Sequence, residues 1–236
     1  MGRRRRVLRR HRSGQRLQTF LNDPRGRARC LDRGLLGNTR VILVPTRGGG
    51  DARNRLLTTA RRRFAADGAL SPTLDEVRRE AEVSVGALYH HFPDKRALAA
   101  AVFAQLIREY QDGFLEAIVK QPTAEGGIRA GVVHHLRWVV AHRAEAALLL
   151  GDRLDSAELQ DANRRFFSAV GDWWRPHHAY GALGPMQPGI TSALWLGPAQ
   201  EYSRYWLAGT AAKISSRTVE TFAAAAWAAL RQHAEE

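Results

Sequence analysis

The sequence predicts an all-α chain of about nine helices, with an N-terminal three-helix unit ahead of a larger helical domain. Three observations carry this. From Asp51 to the C-terminus, apolar residues recur with the 3.6-residue period of a helix, and no stretch alternates as a half-buried strand does. Helix starts are marked chemically: Thr73-Leu74-Asp75-Glu76 reads as a capping box, and Ser84 stands where a third helix needs an acceptor for its free amides. Helix stops are marked as well, by Gly68, by Pro72, by Pro93 and by the cluster Gly181, Gly184, Pro185, Pro188 and Gly189.

Residues 1 to 50 have a different texture. They hold 14 arginines against Asp23 and Asp32, a net +12, whereas the remaining 22 basic residues face 21 acidic ones, a net +1. The pI near 11 therefore belongs to a basic arm, in which Arg clusters alternate with Gly, Asn and Pro and no regular structure is expected. Two readings of the arm stay open: a phosphate-touching extension, or translated upstream sequence without a role. The expected division is thus an arm over 1 to 50, a three-helix unit over 51 to 97 and a helical domain over 98 to 236.

In the three-helix unit, Leu56, Leu57, Ala60 and Phe64 form the stripe of the first helix, which Gly68 closes. Leu74, Val77 and Ala81 give the second helix its buried face, and the third runs from Ser84 through Tyr89 and His90 until Phe92-Pro93-Asp94-Lys95 breaks it. A long fourth helix follows, with the stripe Leu98, Val102, Leu106, Tyr110 and Phe114. Five more helices are expected near 126 to 142, 144 to 150, 156 to 176, 190 to 209 and 216 to 233.

Two short capped helices joined by a turn at Glu82 and Val83, with a third helix across them, have the order of a helix-turn-helix, whose second short helix enters the DNA major groove. The run Phe64-Ala65-Ala66-Asp67-Gly68, then Thr73, then Val83-Ser84-Val85-Gly86-Ala87-Leu88-Tyr89-His90-His91-Phe92-Pro93-Asp94-Lys95-Arg96-Ala97-Leu98 resembles the N-terminal domain of TetR/AcrR transcription regulators. The resemblance implies that Thr73, Tyr89 and Lys95 contact phosphates and that Ser84, Val85, Gly86, Ala87 and His90 face the groove of a double-stranded operator. Three positions depart from the family pattern. Val85 stands where Lys or another polar residue is common, Arg78 where a small residue is usual, and Glu82 where the turn usually has Gly.

The resemblance extends to the end of the chain, where Ala193 to Gly209 is similar to the penultimate helix of many members. It implies a homodimer built on the last two helices through Trp195, Tyr202, Trp206, Phe222, Ala226, Trp227 and Leu230. It also implies a pocket for a small-molecule effector of unknown identity, drawn from His134, Trp138, His142, Phe166, Phe167, Val170 and Trp174. The whole reads as a ligand-responsive regulator, expected to be a repressor, that binds a palindromic operator. The competing reading is a non-specific nucleic-acid binder driven by the arginine arm.

Other classes fare worse. Neighbouring helical residues point about 100° apart, so His90-His91 and His134-His135 cannot each chelate one metal. No HExxH, P-loop, GxSxG or GxGxxG pattern occurs, so neither catalysis nor a cofactor is expected. The lone Cys30 suits a reducing cytoplasm. The longest apolar runs, Val41 to Val44, Ala146 to Leu150 and Phe222 to Leu230, fall short of the roughly 20 residues a membrane span needs.

Overall fold

The computed structural model describes residues 19–22, 28–33, 39–42, 49–68, 71–151 and 156–231. It divides into two units, residues 1–51 and 52–236. In the first, strands β1 (Thr19–Asn22), β2 (Ala28–Arg33) and β3 (Thr39–Ile42) pair as an antiparallel meander in the order β1-β2-β3. The register sets Thr19 opposite Leu31 and Cys30 opposite Ile42. This is regular structure where the composition of the arm leads one to expect none. The strands coincide with short runs that hold Thr19, Phe20, Val41 and Ile42, residue types that favour extended backbone, and these are easily overlooked among the arginines.

The second unit is all-helical. Helix α1 (Gly49–Asp67) ends at Gly68, whose φ of 91° lets its amide close on the Phe64 carbonyl. Helices α2 (Leu74–Glu80) and α3 (Val85–His91) follow, and then α4 (Lys95–Val119), 25 residues long. The remaining helices are α5 (Ala124–Ala141), α6 (Arg143–Gly151), α7 (Ala157–Ala179), α8 (Pro188–Trp195), α9 (Gly197–Leu207) and α10 (Ser216–Leu230). The sequence leads one to expect a single helix over 190 to 209, and the chain makes two. Pro198 has no amide to give the ladder and its ring collides with a carbonyl one turn back, so α8 stops at Trp195 and α9 starts at Gly197.

Two cores are strung along α4. The first gathers Leu56, Ala60 and Phe64 of α1, Val77, Leu88, Phe92 and the first half of α4, and it takes in Leu148 of α6 and Leu159 of α7. The second gathers Phe114 and Ile118 of α4 with Ile128, Val132 and Leu136 of α5, Val170 and Trp174 of α7, and inner residues of α8 to α10. Gly131 allows α5 to come close, because a Cβ there would sit 2.8 Å from the Phe114 ring and 3.0 Å from Trp195. Truncating a fully buried residue such as Leu98 or Leu106 to Ala should cost about 2–5 kcal/mol. Since the first core runs past residue 98 into α4, α6 and α7, the three-helix unit does not end packing where its third helix ends.

Candidate nucleic-acid interface and effector cavities

Side-chain caps fix the starts of both short helices in this segment. At α2 the Thr73 hydroxyl accepts from the Glu76 amide at 3.2 Å while the Glu76 carboxylate takes the Thr73 amide at 2.6 Å, completing the box read from sequence. The Thr73 hydroxyl also donates to Glu76 at 2.8 Å, and these bonds hold the Glu76 carboxyl below its usual range. Both donors of Thr73, the residue expected to contact a phosphate, are therefore engaged with Glu76 within the chain. At α3 the Ser84 hydroxyl accepts from the Ala87 amide at 3.2 Å.

With both ends fixed, the helical period sorts the side chains of α3. Leu88 and the C-cap Phe92 are buried in the first core, whereas Val85 is 55% exposed, Tyr89 is 56% exposed, and Gly86 and His90 are exposed beside them. A Cβ added at Gly86 would meet nothing within 4 Å, so packing within the chain does not require glycine there. Ala87 departs from the expected face, since it is half-buried and packs against the core. Lys95 is the first residue of α4, behind the cap that Asp94 makes to the Ala97 amide at 2.7 Å.

Sequence reasoning missed Arg53. Its guanidinium lies 5.6 Å above the Phe92 ring, which puts a cation on α1 against the end of α3. The turn between α2 and α3 is formed by Glu82 at φ 53°, the one positive-φ residue other than glycine among the described residues. A left-handed non-glycine residue costs about 1–2 kcal/mol.

Residues 56–102 match the family model described as bacterial regulatory proteins, tetR family. That segment is similar to the DNA-binding domain of the TetR family. The solved structures it resembles share its fold at low identity. A TetR-family regulator from Marinobacter aquaeolei VT8 is 16% identical with a TM-score of 0.63, covering 78% of this chain and 97% of its own. A protein of unknown function from Rhodococcus sp. RHA1 is 20% identical with a TM-score of 0.66, covering 80% and 100%. FadR from Bacillus subtilis, solved with stearoyl-CoA, is 14% identical with a TM-score of 0.57, covering 73% and 98%. No curated protein matches.

Behind the TetR-type domain, the seven residues expected to line one pocket fall in separate places. Phe166, Phe167 and Val170 meet Phe114, Thr191 and Trp195 around a cavity of about 30 Å³ between α4, α7 and α8. His134 and Trp138 line an open groove of about 660 Å³ with Lys120, Arg129 and Arg137. His142 stacks on Trp138 at 4.8 Å, and Trp174 is buried, donating its indole N–H to the Gly184 carbonyl at 3.0 Å. A stripe on one helix shows which residues face inward, but a pocket arises from the offsets between helices.

The residues expected at a dimer interface also divide. Trp195, Ala226 and Leu230 are only 4%, 3% and 6% exposed and belong to the chain's own second core, so they cannot be the outer anchors the sequence suggests. Trp195 donates its indole N–H to the Ile128 carbonyl at 2.9 Å. Tyr202, Trp206, Phe222 and Trp227 are half-buried, Tyr202 against Phe222 and Trp206 beneath the Arg143 guanidinium at 4.6 Å. The apolar side chains left outside are Ile190, Leu194 and Tyr205 along α8 and α9, while α10 exposes Ala225, Ala228 and Ala229.

A buried polar chain crosses this domain. The Tyr110 hydroxyl donates to His135 Nδ1 at 3.0 Å, His135 Nε2 lies 3.3 Å from Ser203, and Ser203 donates to the Ala199 carbonyl at 2.8 Å. Because the Ser203 proton goes to Ala199, its oxygen accepts from His135 Nε2–H, and the neutral imidazole then presents Nδ1 as the acceptor for Tyr110. Burial, helped by neighbouring His134, pushes the His135 pKa down to about 4. Burial also raises that of Tyr110. No described helix is long and apolar enough to cross a membrane.

Proposed function

We propose that this protein is a ligand-responsive transcriptional regulator, acting as a repressor in the cytoplasm, that binds a palindromic operator as a homodimer. The observation that carries the reading is the orientation of α3: within the segment matching the TetR family, Leu88 and Phe92 anchor the helix while Val85, Gly86, Tyr89 and His90 face outward. Side chains on such a face reach base edges, and Tyr89, Lys95 and Arg53 flank them with groups suited to phosphates. Fluorescence anisotropy on a duplex selected from random DNA, set against a scrambled duplex at several salt concentrations, tests it. Sequence-specific binding keeps a large affinity ratio between the duplexes at every salt concentration, whereas binding driven by the +12 arm falls alike for both.

Dimerisation is assigned to the outer face of α8 and α9 with α10, where Ile190, Leu194 and Tyr205 are exposed beside small residues. The effector is inferred to be largely apolar. The cavity beside Phe114, Phe166, Phe167 and Val170 offers only Thr191 and Ser192 as polar groups, and its present volume requires α7 and α8 to part before a metabolite-sized ligand enters. The stearoyl-CoA in complex with FadR from Bacillus subtilis carries an apolar chain of this kind.

A further inference from the structure

Two of the departures from the family pattern, Arg78 and Glu82, meet in one turn. Helix α2 ends in a Schellman closure: the Glu82 amide donates to the Arg79 carbonyl at 3.1 Å and the Val83 amide to the Arg78 carbonyl at 3.1 Å. That closure demands a left-handed residue at its centre, and this chain uses Glu82 at φ 53° rather than glycine. Val77 and Val83, at the positions that pair by apolar contact in such closures, are both buried in the first core. Arg78 adds what the backbone motif lacks. Its guanidinium donates from Nη1 to the Val83 carbonyl at 3.1 Å, so Arg78 grips Val83 at both ends, by its own carbonyl and by its side chain. The guanidinium is itself aimed by Asp75, which accepts from its Nε at 2.8 Å and whose carboxyl this contact holds below the usual range.

We propose that Arg78 is a positioning residue for DNA reading: its grip on the Val83 carbonyl holds the Glu82 turn closed and so sets the angle at which α3 leaves α2. The inference rests on the DNA-binding reading above. Val83 directly precedes the cap residue Ser84, so a change in the direction of the Val83 peptide swings the whole of α3, with Val85, Gly86 and Tyr89, relative to α2. In a chain with glycine at the turn, the left-handed backbone is already favourable and no brace is needed. Here the brace and the strained residue occur together.

The experiment uses the full chain and two duplexes, one selected from random DNA and one scrambled. Arg78→Ala lowers the affinity ratio between them by about tenfold, the size of coupling that contacting residues show, while affinity for the scrambled duplex and the salt slope hold. Glu82→Gly placed on Arg78→Ala restores most of the ratio, because the turn then closes unaided. Asp75→Asn, which loosens the aim but leaves the grip, gives a smaller loss and serves where Arg78→Ala fails to fold. Equal losses on both duplexes, with a salt slope shallower by about 0.9, would make Arg78 a phosphate contact and overturn the proposal. So would the absence of rescue by Glu82→Gly. A wild-type chain that does not discriminate between the duplexes would instead overturn the DNA-reading function itself.

Discussion

The Tyr110 hydroxyl donates to His135 Nδ1 at 3.0 Å inside the helical unit, joining α4 to α5 at a site from which both rings are largely excluded from water. A histidine held this way is stable only while neutral. Its folded-state pKa of about 4 lies below the ordinary 6.5, so the folded form resists taking a proton that the unfolded chain accepts. Stability is therefore intact above pH 6.5 and falls as the pH drops from 6.5 towards 4, by up to about 3 kcal/mol. Denaturant melts across this range check it. His135→Phe should lower stability at pH 7 by removing two hydrogen-bond partners, yet flatten the acid dependence; an unchanged dependence would place the titrating group elsewhere.

Phosphate contacts position a protein on DNA and base contacts choose the sequence. Tyr89→Ala and Lys95→Ala are accordingly expected to weaken binding to selected and scrambled duplexes alike, by a few-fold to tenfold each. Thr73→Ala should act differently, since its hydroxyl is occupied by the capping box: the loss is expected in stability, about 1 kcal/mol, and is read by thermal denaturation.

The proposed dimer face separates two substitutions that sequence alone would treat as equivalent. Leu194→Glu lies on the outer surface and is expected to leave the fold intact while sedimentation shifts to monomer. Ala226→Glu buries a carboxylate in the chain's own core and is expected to destabilise the monomer by several kcal/mol. A Leu194→Glu protein that keeps the dimer mass would move the interface off α8.

The arm carries a separate expectation. Deleting residues 1 to 48 removes the net +12 and leaves α1 whole. If the arm tracks phosphates, the slope of log affinity against log salt becomes shallower by about 0.9 for each phosphate the shortened chain no longer neutralises, while the preferred sequence stays the same. An unchanged slope would make the arm inert in DNA binding.

What was legible in the sequence was what local chemistry decides. Thr73 and Ser84 cap α2 and α3 as their side chains imply, and Leu88 and Phe92 turn inward because the 3.6 period leaves them no other face. Long-range partnership was not legible. Trp195 and Leu230 look the same in sequence whether they pack within one chain or against a second, and only the approach of α5 and α7 shows that they are enclosed. Likewise Phe166 and Trp138 are both inward on their helices but border different spaces. Arg78 and Glu82 were visible as departures from the family pattern, yet their compensation needed the Val83 carbonyl to be seen between them.

The most direct test of sequence reading by α3 is selection of bound fragments from random duplex DNA, run in parallel with the wild-type chain and with Val85→Lys. The wild type is expected to enrich a two-fold repeated sequence whose half-sites lie about 34–36 Å apart, as two copies of α3 on a symmetric dimer require. Val85→Lys is expected to enrich a different base at one position in each half-site, because a cationic donor replaces an apolar contact at a groove-facing position. Enrichment of no sequence, or of the same sequence by both proteins, would show that α3 does not read the groove.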